Sequence, residues 1–115
     1  MICLTGPLGA GKSVFARALI RALCGDGTLE VPSPTFTLLQ TYDCKYGPVW
    51  HFDLYRIEDP EEIYELGWEE ALSGGIVLVE WPERLGRLLP EKRIDVFVES
   101  SGDTARAIHI CEGAA

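Results

Sequence analysis

The stretch that decides the fold reads ICLTGPLGAGKS and occupies residues 2–13. Its first part, Ile2–Thr5, is apolar and β-prone, and it runs directly into a glycine-rich turn. After the turn, apolar side chains recur at helical spacing over residues 13–23, and Gly25 follows as a helix stop. The sequence therefore predicts a strand, a glycine-rich turn and a helix in immediate succession.

The turn itself, GPLGAGKS at residues 6–13, matches the Walker A pattern G-x-x-x-x-G-K-[ST] at every fixed position. Its glycines allow successive backbone N–H groups to approach phosphate oxygens without obstruction by a Cβ atom. The helix that starts at Ser13 adds unpaired N–H groups and a favourable dipole. Lys12 is predicted to reach the β- and γ-phosphates, and the Ser13 hydroxyl to ligate Mg²⁺. The turn therefore predicts binding of a nucleoside triphosphate, and the alternative is a chance match by a glycine-rich turn.

The rest of the chain alternates β-prone and helical segments. Asp59 and Pro60, followed by two glutamates, are typical of a helix start. This helical region is expected to run to about Ser73, with a break near Gly67, and the proline-rich residues 31–35 predict a loop. Five more strands, forming two hairpins and one buried strand, are predicted at 36–42, 49–54, 76–79, 94–99 and 105–111. The order β-α-β-β-α-β-β-β predicts an α/β fold with a mixed parallel and antiparallel sheet flanked by helices.

Length, composition and charge exclude several classes of protein. With 115 residues, 47% of them hydrophobic, the chain is expected to be one packed domain. It has no apolar run long enough to span a membrane and no start typical of a signal peptide, which predicts a cytoplasmic protein without membrane contact. The formal charge of −8 argues against direct binding of nucleic acid, so a partner would hold any RNA. Reduced thiols are expected at the scattered Cys3, Cys24, Cys44 and Cys111.

Two carboxylates end predicted strands and are candidates for holding a metal ion. Asp53 comes at the end of the first hairpin, and Glu80 closes the apolar run at 76–79. Strand ends on one side of an α/β sheet converge, and a P-loop site needs an acid on its magnesium ion. The sequence does not rank the two residues, and each could instead be a solvated strand-end carboxylate.

Two further polar residues lie where they could serve the same site. Thr35 lies between the Walker A helix and a hairpin that ends in an acid. Small regulatory GTPases use this order for a switch threonine that senses the γ-phosphate, although a plain turn threonine is the alternative. His51 shares a strand face with Asp53, and we interpret it as orienting a loop rather than as a general base.

Four blocks of sequence, taken in order, resemble the TsaE family, which is also called YjeE. They are LGAGKS at residues 8–13, SPTFTL at 33–38, HFDLYR at 51–56 and EWP at 80–82. Each block alone is modest evidence, whereas four blocks in the right order are specific. The resemblance covers nearly the whole chain.

The resemblance implies a Mg²⁺-dependent ATPase with a P-loop NTPase fold, required in bacteria for making threonylcarbamoyladenosine in tRNA. It implies that TsaB and TsaD are partners, that TsaD performs the transfer to tRNA, and that ATP hydrolysis resets the complex. The tRNA would be met only through that complex. The resemblance assigns catalytic roles to Lys12, Thr35, Asp53 and Glu80, and metal ligation to Ser13, Asp53 and Glu80. It assigns nucleotide binding to Gly6, Leu8, Gly9, Ala10, Gly11, Lys12, Ser13, Val14 and Trp81.

Two features depart from the family pattern. Pro7 stands where the family usually has Asp, but this is a variable position of the motif, and phosphate binding is expected to survive. Family members also usually carry a helix and a strand before the P-loop strand, which help to hold the base. Residues 1–115 are therefore expected to form a single P-loop domain without that segment, through either a misassigned start or a truncation.

Three other functions share parts of this pattern. A small-molecule kinase also uses a Walker A loop, but it needs an acceptor pocket and usually an arginine-rich lid. A GTPase would account for the switch and hairpin order, but the chain lacks an Asn-Lys-x-Asp motif to recognise guanine. A non-catalytic module that binds ATP to select partners is the third alternative, and turnover by the purified protein would distinguish it.

Overall fold

Strand β1 (Ile2–Thr5) and helix α1 (Lys12–Cys24) form the unit that the opening sequence predicts. They belong to a computed structural model that describes residues 1–6, 12–32, 38–45, 47–101 and 105–112. Most of the predicted phosphate loop and the predicted switch lie outside these ranges. This applies to the candidate residues Leu8, Gly9, Ala10, Gly11 and Thr35.

The predicted strands are present with small shifts at their ends. Their bounds are Leu39–Cys44 for β2, Gly47–Asp53 for β3, Ile76–Glu80 for β4, Ile94–Ser101 for β5 and Ala105–Glu112 for β6. The main difference lies at the first hairpin, where the predicted strands left residues 43–48 between them. Gly47 and Pro48 belong to β3, and Gly47 is in register with Cys44 of β2. The pairing of the two strands therefore extends further than the sequence predicted.

The six strands form one sheet in the order β2-β3-β4-β1-β5-β6. The four inner strands are parallel, and each edge strand pairs antiparallel with its hairpin partner. This confirms the predicted α/β class and the mixed sheet. Because the inner strands are parallel, the carboxyl ends of β1, β3 and β4 lie at one edge of the sheet.

The predicted helical region after the first hairpin is also present, but it is not a single helix. A 3₁₀ helix, Pro60–Leu66, precedes a short helix α2, Trp68–Gly74. The predicted break at Gly67 is confirmed, since this glycine has a φ of +86°. A second 3₁₀ helix, Pro82–Leu88, was not predicted from sequence. It is short and interrupted at Gly86, so it has no apolar periodicity to detect.

The sheet separates two layers of apolar side chains. On one face, Leu4, Val49 and Leu78 pack with Ala16 and Ile20 of α1. The opposite face packs against α2 and the two 3₁₀ helices through a cluster that includes Phe52, Val79, Ile63, Trp68 and Leu85. Side chains alternate between the faces along each strand, so His51, Asp53 and Glu80 share the face that α1 covers.

The expectation of reduced cysteines is wrong for one pair. A disulfide joins Cys24, at the end of α1, to Cys44, at the end of β2, with their Cα atoms 4.5 Å apart. Twenty residues separate the two cysteines, and only the packing of α1 beside the hairpin brings them together. Cys3 is a free, buried thiol as expected, and burial together with the nearby Asp95 charge raises its pKa to about 11.

Within the described ranges, every helix is too short or too polar to cross a membrane.

Candidate nucleotide-binding site

Gly6 ends β1 and begins the predicted phosphate loop. Its φ is +156°, and a Cβ atom at this position would collide with the carbonyl oxygen of Val98 on β5. No residue with a side chain fits here without moving the backbone. The first fixed glycine of the motif is therefore required by the close approach of the chain to the neighbouring strand.

Lys12, the first residue of α1, is the most unusual polar group in the structure. Only 6% of the residue is exposed, and its Nζ has no hydrogen-bond partner among the described residues. The Nζ lies 3.4 Å from the centroid of the Trp81 ring, a cation–π contact. Burial lowers the pKa of Lys12, while the negative charges of Glu80, Glu83 and Asp53 act in the opposite direction. A buried ammonium group without hydrogen bonds is suited to binding an anion.

Asp53 and Glu80, the two candidate metal acids, lie side by side. They are in register at the carboxyl ends of the neighbouring parallel strands β3 and β4. Both are buried, with 5% and 2% of the residue exposed. Asp53 Oδ1 accepts a hydrogen bond from the Tyr55 backbone N–H at 3.1 Å. The sheet therefore brings together the two carboxylates that the sequence indicated, on the same face as α1.

His51 contacts Glu80 directly. Its Nε2 lies 2.7 Å from Glu80 Oε2, and both side chains are buried. The interpretation that His51 orients a loop stays a prediction, and within the described residues its ring contacts a strand-end carboxylate. This contact crosses from β3 to β4 along one face of the sheet.

Trp81 follows β4 and adopts a left-handed backbone conformation, with a φ of +62°. This conformation is uncommon for a residue with a bulky side chain and is typical of functional sites. The half-buried ring contacts Lys12 on one side and Tyr55 on another, with 5.0 Å between the Trp81 and Tyr55 ring centroids. The structure therefore places Trp81 at the Lys12 end of the site.

Ser13 and Val14 occupy the exposed surface of the first turn of α1. The Val14 side chain is notable because 65% of this residue is exposed. Both residues are exposed within two positions of Lys12, so each is accessible to a molecule bound at the start of the helix.

The described residues fit a phosphate group with a magnesium ion. The unpartnered Nζ of Lys12 supplies the positive charge that a phosphate needs. Asp53 and Glu80 supply oxygen ligands, which Mg²⁺ prefers. No group of three or more metal-binding side chains lies together in the described part of the chain.

Comparison with known proteins identifies the family. The family profile described as "Threonylcarbamoyl adenosine biosynthesis protein TsaE" matches residues 1–108. This chain belongs to the TsaE family. The match covers the fold and every described residue of the candidate site, and it confirms the resemblance that the four sequence blocks indicated.

Curated relatives of this TsaE-family chain share its sequence along nearly its whole length. Proteins named "tRNA threonylcarbamoyladenosine biosynthesis protein TsaE" are 46% identical in Rickettsia conorii and 49% identical in Rickettsia typhi, each over 96% of this chain. The protein of that name from Bacillus subtilis is 38% identical over 94% of the chain. The chain spans 62%, 76% and 66% of the lengths of these three relatives.

The fold is also that of a solved structure. The crystal structure of Bacillus subtilis YdiB superposes with a TM-score of 0.72 over 98% of this chain and 68% of that one, at 28% identity. This likeness confirms the P-loop NTPase fold. In open α/β sheets, ligands bind at the carboxyl ends of the parallel strands, which is the edge where Asp53 and Glu80 lie.

Tyr55 and Arg84 were not identified as site residues from sequence. Both line a pocket of about 510 Å³ beside Trp81, together with Arg56, Ile57 and Glu58. The Arg84 guanidinium lies 5.9 Å from the centroid of the Tyr55 ring. Tyr55 lies within the HFDLYR block that carries the family resemblance. Its place in that block is the sequence feature that could have indicated it as a site residue. Arg84 lies in the 3₁₀ helix that the sequence did not predict, so nothing pointed to it.

Proposed function

We propose that this TsaE-family chain binds Mg-ATP and hydrolyses it as a subunit of the machinery that makes threonylcarbamoyladenosine in tRNA. One observation carries the proposal: the Lys12 Nζ at the start of α1 is buried, has no hydrogen-bond partner among the described residues, and is close enough to Asp53 and Glu80 for their charges to shift its pKa. Apolar burial of an ammonium group costs free energy unless an anion offsets it. A bound triphosphate would supply that anion.

The proposed chemistry is electrostatic. Lys12 would neutralise the negative charge that develops on the transferred phosphoryl group. Glu80 and Asp53, with the Ser13 hydroxyl, would hold the metal ion or orient the attacking water. The chemistry supplied by Mg²⁺, when bound, is neutralisation of charge on the β- and γ-phosphates. Thr35 would sense the γ-phosphate as a switch residue, and the loop glycines would present backbone N–H groups to the phosphates.

The proposed partners are TsaB and TsaD, as family membership implies. TsaD would perform the transfer to tRNA, and ATP hydrolysis by this chain would reset the complex in the cytoplasm. The formal charge of −8 supports a subunit that acts on proteins and leaves the tRNA to them. We assign no arginine of this chain as a finger on the γ-phosphate, so a partner could supply that charge.

Phosphate release by the purified chain tests this proposal. We expect slow release alone, acceleration when TsaB and TsaD are added, and no release by the Lys12→Ala variant under either condition. Equal rates with and without the partners would contradict the partner-stimulated mechanism. Binding of ATP without any turnover, even in the complex, would instead identify a non-catalytic module that uses ATP to select partners.

A further inference from the structure

We propose that His51 is a positioning residue that fixes the orientation of the Glu80 carboxylate for metal binding. The inference rests on the proposed Mg-ATP site and adds a residue to it. Its basis is the 2.7 Å contact between His51 Nε2 and Glu80 Oε2, in which both side chains are 3% exposed. Hydrogen bonds to ligating carboxylates commonly set the geometry and affinity of metal sites.

The backbone fixes both ends of this contact. His51 is in register with Leu78 in the parallel pair of β3 and β4, and Glu80 is two residues further along the same face. Both strands lie inside the sheet, flanked on each side by hydrogen-bonded neighbours. Because neither backbone can shift without breaking the sheet, the His51 ring holds one Glu80 oxygen at a fixed point.

The direction of the hydrogen bond follows from the chemistry of the two groups. A carboxylate that ligates a metal ion is ionised and only accepts hydrogen bonds, so in the proposed metal-bound state the imidazole ring would donate through Nε2. The other ring nitrogen, Nδ1, is buried and has no hydrogen-bond partner among the described residues. The bond to Glu80 is therefore the polar contact that orients the ring within the described part of the chain.

The surroundings of His51 argue against a packing role. Its neighbours on this face of the sheet include the buried apolar residues Val49 and Leu78 of the core beneath α1, and also the polar residues Gln40, Asp53 and Glu80. An apolar side chain would fill this position without a ring nitrogen that lacks a partner among the described residues, but it would take the hydrogen bond away from the buried Glu80 carboxylate. A histidine at this point is explained if its N–H is needed by Glu80.

The test compares variants that remove or retain the donor. His51→Leu removes the N–H at similar size, His51→Gln retains an N–H at about the position of Nε2, and Val49→Ala controls for disturbed packing on the same face. We expect His51→Leu to weaken Mg²⁺ binding to the protein–ADP complex about 10- to 100-fold, as is common for partners of metal ligands. ADP binding without Mg²⁺ should be unchanged. His51→Gln should restore most of the loss, and Val49→Ala should not affect the Mg²⁺ dependence.

The outcomes separate this inference from the proposed function. If wild-type protein binds no Mg-nucleotide, the proposed function fails. If wild type binds with Mg²⁺ dependence and His51→Leu behaves identically, the positioning role is wrong and the proposed function stands. Should His51→Leu not fold, the ring can be observed in wild type by ¹⁵N NMR. A proton at Nε2 that shifts when Mg²⁺ is added to the ADP complex supports the role, and an unprotonated Nε2 overturns it.

Discussion

At the scale of single residues, Lys12 opposes stability in the absence of a ligand. Its ammonium group is buried against the Trp81 ring and has no hydrogen-bond partner among the described residues. Burial of an unsatisfied polar group costs about 1–3 kcal/mol. The nearby carboxylates reduce this cost but do not remove it, since the pKa of Lys12 is still lowered. A residue that costs stability in this way is typical of a functional site.

We therefore predict that Lys12→Met stabilises the ligand-free protein. Methionine has a similar length and no charge, so the free energy of unfolding should rise by roughly 1 kcal/mol, or about 4–8 °C in Tm. The exposed Lys92 provides a matched control, and Lys92→Met should change stability by less than about 0.5 kcal/mol. Urea and thermal unfolding measure both variants. A Lys12→Met variant less stable than wild type would show that Lys12 supports the fold.

The difference in the free energy of unfolding between Lys12→Met and wild type should also depend on pH. The folded-state pKa of Lys12 lies below its ordinary value of 10.5, so the unfolded state holds the proton more tightly. The destabilisation is fully present at pH values below the folded-state pKa and fades as the pH rises from that pKa to 10.5. The free energies of unfolding of Lys12→Met and wild type should therefore approach each other at alkaline pH. A difference that stays constant would point to packing rather than charge.

At the scale of elements, the first 3₁₀ helix, Pro60–Leu66, shows what local sequence can predict. Asp59 was predicted at a helix start, and it is the N-cap, where its side chain accepts a hydrogen bond from the Glu61 N–H at 3.0 Å. The Glu62 carboxylate in turn accepts a hydrogen bond from the Asp59 N–H at 3.1 Å, and the two residues together form a capping box. These contacts are local in sequence, which is why residue types alone predicted them.

We predict that Asp59→Ala costs about 1 kcal/mol of folding free energy, the usual value for losing an N-cap. Glu65→Ala, an exposed change in the same helix outside the cap, should cost less than about 0.5 kcal/mol. Urea denaturation compares the two variants. Because the cap lies in a helix on the face of the sheet opposite α1, nucleotide affinity should be the same in both. A loss of affinity confined to Asp59→Ala would mean that this helix contributes to the site.

Elements without a local signal were missed or misjudged. The second 3₁₀ helix has no apolar periodicity, and it carries Arg84 to the pocket beside Tyr55. Gly47 and Pro48 fell between the predicted strands of the first hairpin, but both lie on β3, where pairing with β2 overrides local turn preference. Such outcomes depend on which strands pair, and that is not encoded within a short window of sequence.

At the scale of the whole molecule, the site results from strand order. Parallel β3 and β4 put Asp53 opposite Glu80, and α1 covers the same face with Lys12 at its first turn. The class of fold and these three residues were predictable because a Walker A motif between a strand and a helix constrains the architecture. The contacts His51–Glu80, Lys12–Trp81 and Cys24–Cys44 were not predictable, because each joins residues far apart in sequence.

Membership of the TsaE family and the P-loop fold both support the central proposal, which is that Lys12 binds the phosphates of an adenine nucleotide. The contact between Lys12 and Trp81 gives that claim an optical signal, because a phosphate that draws Nζ away would change the surroundings of the indole ring. A hydrogen bond to a charged group contributes about 1.5–3 kcal/mol. Removing the Lys12 ammonium should therefore weaken binding about 10- to 100-fold.

The most direct measurement is a titration of tryptophan fluorescence with Mg-ATP, Mg-ADP and Mg-GTP, applied to wild type, Lys12→Ala and the control Lys92→Ala. The account predicts saturable binding of the adenine nucleotides by wild type and Lys92→Ala, weaker binding of Mg-GTP, and loss of binding by at least about tenfold in Lys12→Ala. Equal affinity in wild type and Lys12→Ala, or no binding by a folded wild-type chain, would contradict it.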